Sequence, residues 1–201
     1  MIAIIDYGMG NLRSVQKALE KVGAQTVITN QAGDIEKAEK IVLPGVGAMQ
    51  PAMKKLKQLG LIPTIRIVIK EGKPFLGICL GLQLLFEKSS EGGNVQGLGV
   101  LPGCVERFKK LKVPHMGWNQ LAIKNKKSPL LKNIDNKANV YFCHSYYVKP
   151  TEKGVVASTT DYGVDFVSTI TKGNLFGVQF HPEKSQVVGL QILKNFVKLP
   201  T

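Results

Sequence analysis

A chain of 201 residues, 44% of them hydrophobic, is long enough for one domain with a substantial buried core. It has no apolar run near the roughly 20 residues that a membrane-spanning helix needs, so no membrane association is expected. Lysine and arginine outnumber aspartate and glutamate 27 to 14, giving a formal net charge of +13, but the lysines are scattered and their few clusters lack interleaved aromatics. That argues against a nucleic-acid groove and for a solvated basic surface with one partner-facing patch.

The opening Met1-Ile-Ala-Ile-Ile-Asp6 runs straight into a charge with no basic flank, which predicts a strand and not a signal peptide. Tyr7-Gly-Met-Gly-Asn11 follows, then Leu12, Val15, Leu19 and Val22 at helical spacing. The glycine loop lacks the full GxGxxG pattern, so it reads as a tight turn or an anion-holding loop and gives little support to a dinucleotide. Thr26–Thr29 predicts a second strand, Asp34 the cap of a short helix, and Lys40–Leu43 a third strand. Pro44-Gly-Val-Gly47 leads into a helix carrying Met49, Met53 and Leu56. Three such units within about fifty residues predict an α/β fold with a parallel sheet, whose ligands sit outside the carboxyl ends of the strands.

Pro74–Phe86 predicts a buried strand, a sharp turn at Gly77-Ile-Cys-Leu-Gly81 and a helix. A Gly-x-nucleophile-x-Gly corner presents its central side chain at the tip, and the unpaired N–H groups of the following helix favour a thiolate. Taken alone, Cys79 reads as either such a nucleophile or a buried core thiol. From Gly97 onward, alternation and turns predict partly antiparallel strands over Gly99–Gly103, Val105–Phe108, Val113–Asn119, Val140–Val148, Val155–Ser158, Val167–Ile170 and Leu175–Phe180. A helical turn is predicted at Ser128–Leu131 and a final helix after Ser185. The whole chain, 1–201, reads as a single domain: open, mixed and largely parallel at its central sheet, with helices on both sides and an additional partly antiparallel sheet in the second half. The three cysteines, Cys79, Cys104 and Cys143, are odd in number and widely spaced with no metal-type pairing, which suits a reducing cytoplasm; neither metal nor cofactor is expected.

A cysteine nucleophile needs a base, and the chain offers three histidines. His115 has no acid nearby, and His144 sits in an aromatic strand where a satisfied, half-buried imidazole is the usual meaning. His181 stands in His181-Pro-Glu183 at the end of an apolar strand. Proline favours an extended residue before it, and i, i+2 side chains of an extended segment share a side, so Glu183 can hold one imidazole nitrogen and leave the other for the nucleophile. The developing oxyanion would be met by the backbone N–H of Leu80 and by the Pro44–Gly47 loop.

Together, Pro44-Gly-Val-Gly47, Gly77-Ile-Cys-Leu-Gly-Leu-Gln83 and Phe180-His-Pro-Glu-Lys-Ser185 resemble the triad-type, class I glutamine amidotransferases. Within that family, Asp6–Asn11, His115-Met-Gly-Trp-Asn119, His144-Ser-Tyr146 and Thr160-Asp-Tyr-Gly163 resemble the glutaminase subunits of imidazole glycerol phosphate synthases. The resemblance implies a cysteinyl thioester on Cys79, proton transfer by His181 and orientation of His181 by Glu183. It implies an oxyanion hole from Val46, Gly47 and Leu80. L-Glutamine would be held by Gln83, Gly45, His144, Ser145 and Tyr146, and the partner met by Asn11, Trp118 and Asn119. The implied partner is a (β/α)8-barrel cyclase subunit in a heterodimer, which takes the ammonia for histidine biosynthesis. A glutaminase serving another acceptor, such as pyridoxal phosphate synthase, a free-standing γ-glutamyl hydrolase and a catalytically idle subunit are the competing expectations. Cys104 departs from the longer polar residue expected in relatives and reads as structural or neutral.

Overall fold

The computed structural model describes residues 1–200. The first half alternates strands and helices: β1 (Ile2–Ile5), α1 (Leu12–Lys21), β2 (Thr26–Thr29), α2 (Ala32–Lys37), β3 (Lys40–Gly45), α3 (Met49–Gln58), α4 (Leu61–Lys70), β4 (Phe75–Cys79) and α5 (Leu80–Leu84). The second half is mostly strand: β5 (Phe86–Ser89), β6 (Val95–Gln96), β7 (Leu101–Arg107), β8 (His115–Gln120), β9 (Ala122–Ile123), β10 (Asn139–His144), β11 (Tyr146–Pro150), β12 (Val156–Asp161), β13 (Asp165–Lys172) and β14 (Leu175–Val178). Helix α6 (Gln186–Val197) follows, and single 3-10 turns lie at Pro129–Leu131, Lys153–Val155 and Pro182–Lys184.

An 8-stranded sheet in the order β2-β1-β3-β4-β14-β13-β12-β9 forms the centre, parallel through β14 and antiparallel beyond it. Its central strands are buried on both faces, which explains their unbroken apolar runs. Alternate residues feed two cores: Ile2, Ile4, Val42, Leu76 and Ile78 lie in one, Ile5, Ile41, Leu43 and Phe75 in the other. A second sheet, β11-β7-β5-β6, and the hairpin-like pair β10-β8 stand beside the carboxyl end of β4.

Of the stripes expected on helices α1 and α3, Val15, Leu19, Met49 and Leu56 are buried, joined by Ala18 and Ala52, while Leu12, Val22 and Met53 are half-buried at the edge. Helix α4 has no counterpart among the sequence expectations. Its Ile-rich run looks strand-like, yet Leu61, Thr64, Ile65 and Val68 fall on one buried face. Pro63 is tolerated because first-turn N–H groups have no helical acceptor anyway.

Several boundaries differ from expectation for identifiable reasons. Asp34 does not cap α2; Gln31 does, and Asp34 lies in the first turn, where its Oδ2 accepts the Thr29 hydroxyl at 2.7 Å. The two strands expected over Gly99–Phe108 are one, β7. The single strand expected over Val140–Val148 is two, because the chain passes at Ser145 from the pairing with β8 to the pairing with β7. The helix after Cys79 is only five residues long, so any dipole effect on the thiol reduces to the unpaired N–H groups of one turn. Ser185 does hold the N-cap position of α6, but its hydroxyl bonds outside the helix.

Candidate active site

Cys79 is the last residue of β4 and the N-cap of α5, with φ 53° and ψ −106°. A side chain with Cβ rarely takes positive φ, and such a conformation survives only where its surroundings over-determine it. The surroundings here are close-packed backbone. Gly81 lies against Leu43 so tightly that a Cβ would collide with the Leu43 carbonyl oxygen, and a Cβ on Gly45 would strike the Tyr7 hydroxyl. The glycines therefore let β3 and the start of α5 touch, which fixes the corner. The Tyr7 hydroxyl is buried and has no hydrogen-bond partner among the described residues; burial, and then the neighbouring Cys79, push its pKa up.

Parallel pairing sets Gly45 opposite Cys79 and Gly177 opposite Gly77, which brings the end of β14 and the residues after it alongside the thiol. His181 follows β14 and is buried. Its Nδ1 donates to Glu183 Oε1 at 2.9 Å, and Cys79 is the other group close enough to act on its charge. Burial opposes a charge on His181, but Cys79 and Glu183 together outweigh it and push the pKa up to about 10. The imidazole thus holds a proton at neutral pH. The contact with Glu183 was expected from an extended Pro182 segment, but Pro182–Lys184 is a 3-10 turn, and the turn itself folds the carboxylate back onto the ring. The His181 main chain is clamped as well: its N–H donates to the Tyr141 carbonyl at 2.9 Å, and its carbonyl accepts the Ser185 hydroxyl at 2.6 Å.

A cavity of about 240 Å³ opens over Cys79. Val46, Gly47, Leu80 and Gln83 line one side, and His144, Ser145 and Tyr146 the other. Gly45 is not among its lining residues; it lies beneath, paired with Cys79. Gly47 has φ +94°, a left-handed conformation that turns the loop sharply after β3. Gln83 is buried, and its Nε2 donates to the Tyr146 carbonyl at 2.9 Å and to Gln179 Oε1 at 3.1 Å, so it ties the two walls together. A larger groove of about 410 Å³ between Trp118 and Val187 does not include Cys79, and the chemistry selects the smaller cavity.

Two residues at the site carried no motif signal. Gln179 is fully buried, and its Nε2 lies 3.7 Å from Cys79 Sγ. Glu91 supplies a carboxylate at the cavity, fixed by the Met49 N–H donating to its Oε2 at 2.7 Å. Gln179 directly follows β14 and stands two residues before His181, so carrying the strand alternation one residue past Val178 could have singled it out. Glu91 comes from a Gly-rich loop, where nothing local marks it. Away from the cavity, Asn11 is the exposed N-cap of α1, and α1 packs on the Pro182–Lys184 turn. Trp118 is 49% exposed on β8 beside Met116 at 61%, and Val187 at the start of α6 is 80% exposed, so an apolar patch faces outward. Asn119 is half-buried, and its side chain is engaged within the chain.

A family model described as glutamine amidotransferase class-I matches residues 3–199. The imidazole glycerol phosphate synthase subunit HisH of Geobacter metallireducens is 57% identical over 203 residues, covering 97% of this chain and 96% of that one. The protein of the same name from Moorella thermoacetica is 55% identical, covering 98% and 94%. A solved structure described as a glutamine amidotransferase superposes with a TM-score of 0.78 at 19% identity, covering 99% of this chain and 100% of that one, a likeness of fold.

Proposed function

The chain belongs to the class-I glutamine amidotransferase family, and on that premise we propose that it is the glutaminase subunit of an imidazole glycerol phosphate synthase, cytoplasmic and paired with a (β/α)8-barrel cyclase subunit. The observation that carries the chemistry is Cys79 at a strained corner beside a buried, Glu183-bound His181. In the first step Cys79 attacks the side-chain carbonyl of glutamine as the thiolate, its proton held on His181, and the oxyanion is met by backbone N–H groups of Leu80, Val46 and Gly47. His181 gives its proton to the departing nitrogen, which leaves as ammonia, and a glutamyl thioester remains. His181 then takes a proton from water, the hydroxide adds to the thioester, and glutamate and free Cys79 result. Glu183 keeps Nδ1 protonated, so that Nε2 faces the reaction in both steps. Gln83, Ser145 and Tyr146 are suited to the polar ends of glutamine, and the Glu91 carboxylate to its ammonium group.

The ammonia would pass to the partner, where Trp118, Asn11 and the neighbouring apolar patch support an interface. The test is glutamate release with and without the barrel subunit and its nucleotide substrate. Strong stimulation by the partner is expected, with little turnover by the chain alone. Cys79→Ala should abolish glutamine use while ammonium salts still support synthesis by the complex. Unchanged glutaminase activity in Cys79→Ala would overturn the mechanism, and absence of stimulation would overturn the assignment of the partner.

A further inference from the structure

Two histidines that take no proton in this mechanism stand in a row behind the cavity wall. His144 Nδ1 lies 2.8 Å from the Tyr146 carbonyl oxygen, and His144 Nε2 lies 3.0 Å from His115 Nδ1. His115 Nε2 lies 3.2 Å from Asn119 Nδ2. Asn119 makes two further bonds: its Nδ2 donates to the Asp161 carbonyl at 2.9 Å, and its Oδ1 accepts the Gln120 N–H at 2.8 Å.

The direction of every bond in the row is fixed from both ends. A carbonyl only accepts and a backbone N–H only donates, so the Asn119 amide has one possible orientation, with its NH2 facing Asp161 and His115. His115 Nε2 must then accept, which puts its proton on Nδ1. At the far end, the Tyr146 carbonyl requires a proton on His144 Nδ1, so His144 Nε2 accepts. The two derivations meet at the His115–His144 contact, one donor facing one acceptor, and agree. Both imidazoles are neutral: burial pushes His115 down to about 4 and His144 to about 3, outweighing the bond to the Tyr146 carbonyl that favours a proton on His144. Phe142 and Tyr162 stack on the two sides of His115 at centroid distances of 4.8 and 4.0 Å and hold its ring plane.

The Tyr146 carbonyl at the end of this row is also the acceptor for Gln83, which bonds Gln179, which approaches the Cys79 sulfur. The polar row therefore runs without a gap from the outward-facing strand β8 to the nucleophile. We propose that Asn119, His115 and His144 are positioning residues, a one-way row of hydrogen bonds that fixes the Tyr146 carbonyl and, through Gln83 and Gln179, the sulfur of Cys79. Its catalytic meaning rests on the glutaminase reading, but its bonding does not. A strand that also carries the exposed Met116 and Trp118 would then be coupled to the geometry of the cavity.

Asn119→Asp is the sharpest test, because it keeps the shape and puts an acceptor where the first donor of the row stood. Asn119→Ala removes the same donor but leaves room for water to replace it at this half-buried position. Nitrogen-15 NMR of the histidine rings in the full chain at pH 7 should show the Nδ1–H tautomer for both His115 and His144. Asn119→Asp should change both ring patterns, shift the Gln83 side-chain amide signals and alter the rate of Cys79 alkylation by iodoacetamide severalfold. It should also lower kcat/KM for glutamine about tenfold, more than Asn119→Ala does. His115→Phe, which keeps the stacked ring, should give the same loss. An Nε2–H or cationic ring in the native chain would overturn the row. Unmoved Gln83 signals and unaltered Cys79 reactivity in both Asn119→Asp and His115→Phe would overturn the positioning role. A native chain with the expected tautomers and the expected Cys79 response, but no glutamine turnover even with the barrel subunit, would refute the function and leave the row standing.

Discussion

Cys79 is held at φ 53° although it carries a side chain, a conformation that costs on the order of 1–3 kcal/mol. Cys79→Gly should therefore be inactive yet more stable than the native chain by about 1 kcal/mol, after the extra entropy of an unfolded glycine is subtracted. Denaturant titration measures this directly, and a destabilised glycine variant would show that the corner is not strained. The histidines give opposite pH dependences. His115 and His144 bind protons more readily unfolded than folded, so their contribution is present above about pH 6.5 and is lost as pH falls toward 4 and 3. His181, raised to about 10, stabilises the fold below about pH 6.5 and loses that contribution as pH rises toward 10. Thermal melts across pH should show the acid limb flattened in His115→Phe and the alkaline limb flattened in His181→Asn.

At the scale of elements, the site depends on backbone proximity that side-chain patterns do not encode. Gly81 allows α5 to start directly against β3, and the atom in the way of any Cβ is the Leu43 carbonyl oxygen, which cannot rotate aside. Gly81→Ala should cost about 3 kcal/mol or more and suppress activity even below the melting temperature, because the parting of β3 and α5 moves Val46 and Gly47 away from Cys79. Equal stability of the alanine variant by calorimetry would refute this. The break at Ser145 is of the same kind. A nine-residue apolar and aromatic run reads as one strand, but pairing with β8 on one side and β7 on the other splits it and swings His144 and Tyr146 to the cavity wall. Strand pairing is non-local, so no window of the run contains the reason.

At the scale of the molecule, the net charge of +13 finds no use inside the cavity, whose one carboxylate-bearing wall is acidic. Basic residues do gather near the outward-facing patch: Lys184 stands 5.7 Å over the Tyr141 ring, which meets Trp118 edge-on, and Lys17 and Lys21 lie nearby on α1. Such a face suits an acidic partner surface. Association with the partner subunit of the synthase should therefore slow and weaken as salt rises, because exposed charges are screened beyond about 8 Å at physiological ionic strength. Stopped-flow and calorimetric titrations at low and high salt would measure it, and salt-independent binding would assign the charge to solubility alone.

The candidate site was legible along the chain because its residues come in short motifs with local physical causes. Gly77–Gly81 forces a corner, His181-Pro-Glu183 keeps imidazole and carboxylate together, and buried parallel strands declare themselves as apolar runs. What brings those motifs together is the order of strands: β14 beside β4, β3 on its other side, and β10 and β11 over the cavity. Sequence spacing holds no record of that order, because 100 residues separate Gln179 from Cys79 and 96 separate it from Gln83. The same holds for the row from Asn119 to Tyr146. Each residue taken singly is an ordinary polar group in a strand, and the direction of its hydrogen bonds exists only once the partners at both ends are in place. The order of residues alone was enough to single out the candidate cysteine, the histidine tied to its glutamate and the parallel core; only the folded chain shows what holds them in register, since hydrogen bonds and close backbone contacts are properties of pairs.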